Sequence, residues 1–217
     1  ALSYAGGFGM EGAALQMFAT WLRVSRDHVL RTSAKDPLES EQFSELCNSL
    51  LGLCALRLSD DILTYDEQKV DLAIALKPAI SIFNKMRGEQ FKDAFKGLYL
   101  AIPAIKSQVI KGSRNREFDS PLYNGDSVVG AKKFLELTRK ALRAVYPAES
   151  SSEWIEGTVV THISEILREL FTNTHRHARG DVYGNPLSKN FRAVTFNAIE
   201  LSKARLDEIS RSGGAKL

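Results

Sequence analysis

Apolar residues recur at intervals of three and four along most of this chain of 217 residues, and this spacing constrains its fold more than any other feature. Such intervals place apolar side chains on one face of an α-helix. One stretch, residues 192–201, instead alternates apolar and polar side chains as a half-buried strand does. The fold class is therefore predicted to be α+β and predominantly helical. Helices are predicted over residues 12–24, 40–58, 66–86 with a kink or break at Pro78, 90–105, 131–146, 153–177 and 202–209.

The best candidate for a linker is the segment 111–124. It contains three basic residues, Gly112 and Pro121, and it leads into Asn124-Gly125, a strong turn signal. We predict a domain boundary near residue 125. Residues 1–125 are then an all-α module for sensing or partner binding, and residues 126–217 form a second domain.

Composition excludes several classes of protein. The formal net charge of +3 is spread over many ionisable groups without a tight Lys/Arg block, so nucleic acid is not expected as a partner. No apolar run approaches the roughly 20 residues that span a bilayer. Cys47 and Cys54 lie about 10.5 Å apart along one predicted helix, too far for a disulfide, and are expected to be buried thiols in a reducing cytoplasm.

The predicted helix 153–177 carries the candidate chemistry. Its apolar face is expected to consist of Val159, Ile163, Ile166, Leu167, Leu170 and Phe171. A polar stripe lies beside it: relative to Glu169, Asn173 is rotated by about 40° and Arg176 by about 20° the other way. An amide oxygen suits magnesium, a carboxylate can polarise water, and a guanidinium binds phosphate, so the stripe is a layout for a metal-bound nucleotide.

The sequence of this segment also resembles a known family motif. Residues 169–178 read E-L-F-T-N-T-H-R-H-A, which closely resembles the N-box of the GHKL (gyrase, histidine-kinase, MutL) ATPases, E-L-x-x-N-[AT]-x-[KR]-H-A. The resemblance covers only about residues 152–181. It implies that residues 126–217 are the first part of a GHKL-type α/β sandwich, with helix 153–178 as its N-box helix.

The resemblance also implies roles for individual residues and names the cofactors, Mg²⁺ and ATP. Asn173 would be the side-chain ligand of the magnesium ion, and Glu169 would be the catalytic residue that orients or deprotonates the attacking group. Arg176 and His177 would contact the nucleotide phosphates or ribose. The implied function is an ATP-binding regulator or ATPase, or a kinase acting on a separate protein.

Two departures from the family pattern shape the expectation. No Asp-x-Gly-x-Gly box follows Asn173, and no second glycine-rich lid is present. We therefore expect the sequence as given to be incomplete, to hold one wall of the nucleotide site and to be inactive alone. No histidine followed by Glu and Pro is present either, which argues against an autophosphorylating sensor kinase.

Alternative interpretations were weighed against the ATP site. The sequence G-x-G-x-x-G at residues 7–12 lacks the acidic residue that a dinucleotide fold places about 20 positions later. His175 and His177 point about 200° apart on a helix and cannot share a metal ion. A non-catalytic helical interaction module is the first rival function. The second is a nucleic-acid binder that uses the basic residues Lys132, Lys133, Arg139, Lys140 and Arg143.

Overall fold

The structure is a computed structural model that describes residues 17–18, 20–21, 28–33, 39–41, 43, 49–94, 99–107, 118, 120–146, 152–177, 183–185 and 189–197. The seven helices named here are α1 (Leu50–Leu58), α2 (Leu72–Ala75), α3 (Lys77–Arg87), α4 (Phe91–Ala94), α5 (Ala131–Val145), α6 (Ser152–Glu156) and α7 (Thr158–His177). The strands are β1 (Val29–Arg31), β2 (Asp61–Leu63), β3 (Tyr99–Ser107), β4 (Tyr123–Asn124), β5 (Ser127–Val128) and β6 (Lys189–Asn197).

The α+β class is confirmed, but the prediction that residues 1–125 are all-helical is wrong. Strands β1, β2 and β3 lie in that segment. β1 pairs with β2 in parallel, and Val29 lies opposite Asp61. Parallel pairing requires a crossover, and α1 lies in the connection between the two strands.

The helix predicted over residues 40–58 is interrupted at Ser49: residues 41 and 43 are helical, and α1 begins after the interruption. Ser49 caps it, because its side-chain hydroxyl accepts a 2.9 Å hydrogen bond from the amide of Gly52. The helix ends at Ser59, as predicted, and its inward residues Leu53, Cys54 and Leu58 are fully buried. Cys54 is a buried cysteine, as expected. Cys47 lies outside the described residues.

The predicted break at Pro78 is confirmed. Two helices, α2 and α3, meet there, and Pro78 occupies the first turn of α3, where a missing backbone N–H costs nothing. The apolar side of α3 packs into the core through Ala79, Ile82, Phe83 and Met86.

The helix predicted over residues 90–105 is wrong from residue 99 onward. Of the described residues in that range, Phe91–Ala94 is helical, but Tyr99–Ser107 forms β3. β3 pairs antiparallel with β6 over nine residues, from Tyr99 opposite Asn197 to Ser107 opposite Lys189. This long-range pairing satisfies the backbone groups of β3 that face β6, and it overrides the local helical spacing. Pro103 lies within β3, where only β6 is recorded as a partner among the described strands.

The second half of the chain follows its predictions more closely. The turn predicted from Asn124-Gly125 is present: Gly125 and Asp126 connect β4 to β5, and Gly125 adopts a φ of 59°, which a glycine reaches without steric cost. α5 matches the predicted helix and buries Phe134, Leu137, Ala141 and Val145. β6 begins at residue 189, earlier than predicted, and alternates buried Val194 and Phe196 with exposed Thr195 and Asn197.

One large core holds these elements together. It contains residues from α1, α3, β3, α5, α7 and β6, and so from both sides of the predicted boundary at residue 125. A smaller cluster fills the space between α1, α2 and β2 with Phe43, Leu56, Ile62, Ala75 and Leu76. In the part of the chain that is described, no helix is long and apolar enough to cross a membrane. Predictions for residues 7–12, 111–117, 178–180 and 202–209 lie outside it.

Candidate functional site

The candidate site lies on α7, and the helix differs from its prediction at both its start and its buried face. Residues 153–177 do not form one continuous helix, because α6 ends at Glu156 and Gly157 separates it from α7. The Gly157 amide donates to the Trp154 carbonyl at 3.1 Å. A Cβ at position 157 would lie only 3.1 Å from that same carbonyl oxygen, which favours glycine at the break.

The buried face of α7 consists of Val160, Ser164 and Phe171. The ring centroid of Phe171 lies 5.6 Å from that of Tyr123 and 6.3 Å from that of Phe134. The hydroxyls of Ser164 and Thr138 are hydrogen-bonded at 3.3 Å in a buried position. These contacts fix the rotation of α7 about its own axis.

The predicted apolar face is therefore wrong for most of its residues. Phe171 is buried and Leu167 is half-buried, but the other four predicted members are exposed. We call these four residues the apolar row: Val159 (65% exposed), Ile163 (39%), Ile166 (61%) and Leu170 (58%). These four residues are exposed because Tyr123 of β4 and Phe134 and Thr138 of α5 contact a neighbouring face of the helix instead.

Two further contacts lock the inner side of α7. The Nε of Arg168 donates to the carbonyl of Val129 at 3.2 Å. His175 lies near the end of the helix, and its Nδ1 is 3.0 Å from the hydroxyl of Tyr123 and 3.3 Å from a guanidinium nitrogen of Arg192. The helix thus presents a fixed opposite side to its surroundings.

All four predicted site residues lie on that outer side. Glu169, Asn173, Arg176 and His177 are exposed, and none has a hydrogen bond or ion pair to another described residue. The positions of Glu169, Asn173 and Arg176 on consecutive turns bring a carboxylate, an amide and a guanidinium to one face. His177 follows Asn173 by one turn. His175 faces inward while His177 is exposed, in agreement with the prediction that they do not form a metal pair.

The residues of this face are chemically suited to magnesium and phosphate. Asn173 and Glu169 supply hard oxygen atoms that internal partners do not occupy, and Arg176 supplies a cation beside them. Among the described residues, no group of three or more His, Cys, Asp or Glu side chains could hold a metal ion alone. A site in which the nucleotide phosphates provide most ligands does not require such a group.

The basic residues of α5 lie in ion pairs rather than in an open basic surface. Lys133 and Lys140 bind both Glu89 and Glu136 at distances from 2.5 to 3.1 Å. Arg139 and Arg143 pair with Glu156 of α6. This mixed-sign surface gives no specific support to the nucleic-acid interpretation.

The lysine–glutamate cluster shifts the pKa values of its members. Burial acts to raise the pKa of Glu89, but hydrogen bonds and charge from Lys133 and Lys140 outweigh it and hold the pKa below its ordinary value. The hydrogen bond to Glu89 is the main cause of the raised pKa of Lys133. The pKa of Lys140 is raised chiefly by its hydrogen bonds to Glu136 and Glu89.

Sequence reasoning missed the junction of Tyr123, His175 and Arg192. One signal for it was present in the sequence. Arg192 precedes the buried residues Val194 and Phe196 by two and four positions, and side chains at even intervals along a strand lie on the same face. The alternation therefore predicts that Arg192 is buried, as it is. No sequence pattern connected this strand with Tyr123. Comparisons with protein families, characterised proteins and solved structures found no match to this chain.

Proposed function

We propose that α7 is the magnesium-ATP-binding helix of a GHKL-class site, in an ATP-binding regulator or ATPase that acts in the cytoplasm. One observation carries the proposal: Glu169, Asn173 and Arg176 are exposed on one face without internal partners, while the opposite face of α7 is held in the core. Because the polar side chains of this face have no hydrogen bond or ion pair to another described residue, they are available to an external ligand. The resemblance of residues 169–178 to the N-box of the GHKL ATPases supports magnesium-ATP as that ligand.

Each side chain has a defined part in this proposal. The amide oxygen of Asn173 ligates the magnesium ion, and Arg176 and His177 contact the phosphates. The carboxylate of Glu169 lies one turn before Asn173, where it orients or accepts a proton from the attacking water or hydroxyl. Bound magnesium-ATP would supply the phosphoryl group, with its charge partly neutralised by the metal ion.

The remainder of the chain has a supporting role. Residues 1–125 are proposed to sense a signal or bind a protein partner, although they share a sheet and a core with residues 126–217. The adenine-reading half of the site is proposed to lie on glycine boxes that this sequence does not contain.

Magnesium-ATP binding by the full-length protein tests the metal ligand. Asn173→Ala should weaken binding at least tenfold, because it removes the only protein side chain proposed to ligate the ion. Asn197→Ala is the matched control, since Asn197 is another exposed asparagine, at the end of β6. Equal affinity in the wild type and the Asn173→Ala variant would refute the assignment.

Turnover tests the second role. Glu169→Gln should retain binding and lose ATP hydrolysis or phosphoryl transfer by 10²-fold or more, on the order of a general-base contribution. Glu165→Gln makes the same change at an exposed residue one turn earlier on α7, and this variant should turn over ATP normally. Unchanged turnover in Glu169→Gln would remove Glu169 as the base.

The second candidate function is a protein-interaction module without catalysis, and the apolar row favours it. Exposed apolar patches on a soluble protein commonly mark contact sites. The two candidates differ in one measurement, since only the first requires magnesium-ATP to bind.

A further inference from the structure

The last turn of α7 is joined to the rest of the protein through His175. The Nδ1 of His175 lies 3.0 Å from the hydroxyl of Tyr123 and 3.3 Å from a guanidinium nitrogen of Arg192. The neighbouring Arg176 and His177 are exposed, and neither has a hydrogen bond or ion pair to another described residue. The contacts of the imidazole therefore hold this turn on the protein.

The end of a helix needs such an attachment more than its middle does. The last four carbonyl groups of a helix have no intrahelical partner, and a terminal turn frays unless other contacts hold it. Arg176 and His177 lie in the last turn of α7, and the proposed function assigns phosphate contacts to both. A misplacement of about 1 Å can cost an active site on the order of 10²-fold, so the position of this turn bears directly on the nucleotide.

The two side chains that approach His175 come from elements that are themselves fixed. Arg192 is buried, and its strand β6 is paired with β3. Tyr123 belongs to β4, and its ring centroid lies 5.6 Å from that of Phe171 in the core. Both β3 and Tyr123 belong to residues 1–125, so the segment proposed to sense a signal contributes directly to the attachment of α7.

We infer that Arg192 and Tyr123 are positioning residues of the nucleotide site and that they act through His175. They hold the last turn of α7 from its buried side, so that the two exposed side chains of this turn meet the phosphates of magnesium-ATP. Neither positioning residue contacts the nucleotide. This inference rests on the proposed function, and it makes the affinity for nucleotide depend on residues 1–125 through Tyr123.

Titration of the full-length protein with magnesium-ATP tests the inference. Arg192→Met keeps an unbranched side chain and removes the guanidinium, and it should raise the dissociation constant by about tenfold, within the range that misplacement of a binding group costs. Arg192→Lys keeps the charge and should recover part of the affinity. Tyr123→Phe removes a single hydroxyl and should raise the dissociation constant by a smaller factor. It also provides the test if Arg192→Met does not fold.

A merely structural effect gives a different pattern. Thr138→Val disturbs a buried contact with the first half of α7, and it should leave the affinity for magnesium-ATP unchanged although it lowers stability. In a background that carries Arg176→Ala and His177→Ala, Arg192→Met should cause little further loss, because the groups that it positions are absent. An undiminished loss in that background, or an equal loss in Thr138→Val, overturns the inference.

Asn173→Ala in the same titration separates this inference from the proposed function. If Asn173→Ala weakens binding but Arg192→Met and Tyr123→Phe do not, the positioning role is wrong and the nucleotide site stands. If the wild type and Asn173→Ala bind magnesium-ATP alike, both the proposed function and the positioning role are wrong.

Discussion

The hydroxyl of Tyr123 lies 3.0 Å from Nδ1 of His175 and joins a two-residue strand to the last turn of α7. Arg192 of β6 approaches the same ring nitrogen at 3.3 Å. Because a guanidinium can only donate, Nδ1 accepts and the ring proton of His175 is assigned to Nε2. One imidazole thus connects β4, α7 and β6, and it does so on the side opposite to the proposed magnesium face.

Tyr123→Phe should lower stability by about 1 kcal/mol, because it removes one hydrogen bond and keeps the ring against Phe171. For a chain of this size the expected decrease in Tm is about 2–4 °C. Urea unfolding followed by far-UV circular dichroism measures it. Tyr65→Phe, at a tyrosine that is 67% exposed, should change stability by less than about 0.5 kcal/mol. Equal stability of the two variants would contradict a role for the Tyr123 hydroxyl.

Two adjacent residues of α7 test the rotation of the helix. Phe171→Ala should cost about 3–5 kcal/mol, because it opens a cavity beside Tyr123 and Phe134. Leu170→Ala should cost less than about 1 kcal/mol, since Leu170 is 58% exposed. Denaturant midpoints compare the two variants. A larger loss at position 170 than at 171 would contradict the observed rotation of α7, in which Phe171 is buried and Leu170 is exposed.

The buried hydroxyl pair between α5 and α7 allows a double-mutant cycle. Thr138→Val should cost about 1–3 kcal/mol, because it leaves the Ser164 hydroxyl buried without this partner. Adding Ser164→Ala should restore part of the loss, since the remaining unpaired group is removed. Unfolding free energies of the four proteins give the coupling. Strictly additive losses would show that the two hydroxyls do not interact.

The ion-pair cluster around Glu89 predicts how stability depends on acid. The pKa of Glu89 is lowered on folding, so its carboxylate stabilises the native state above its ordinary pKa of 4.5, and this contribution is lost as the pH falls through the lowered value. Glu89→Gln should therefore reduce stability at pH 7 by about 1 kcal/mol. The difference from the wild type should disappear near pH 2.

Glu41→Gln serves as the control for this pH series, because Glu41 is exposed on a helical position outside the cluster. It should follow the wild type at both pH values. A difference between Glu89→Gln and the wild type that is constant with pH would indicate that the effect comes from packing rather than from charge.

The sequence predicts the elements whose signal is local. The spacing in α5, the break at Pro78 and the Asn124-Gly125 turn depend on neighbouring residues alone, and all three are observed. β3 is different, because Leu100, Ala101, Ile102, Ala104 and Ile105 are all buried and leave no alternation to read. A short continuous apolar run fits a helix or a strand equally well, and only the distant β6 decides between them.

The candidate site divides in the same way. The shared face of Glu169, Asn173 and Arg176 follows from helical geometry and needed no tertiary information. Which apolar sector of α7 is buried depends on Tyr123, Phe134 and Thr138, which are distant in sequence. When a helix has two adjacent apolar faces, the sequence of the helix alone does not show which of them is buried.

The pairing of β3 with β6 has a consequence for folding during synthesis on the ribosome. β3 leaves the ribosome while roughly 80 residues still have to be made before β6 follows, a wait of about 4–16 s at ordinary rates of synthesis. During that interval an apolar strand waits with its backbone groups unpaired, which is a condition that invites aggregation. The nascent chain should therefore depend on chaperones until β6 emerges.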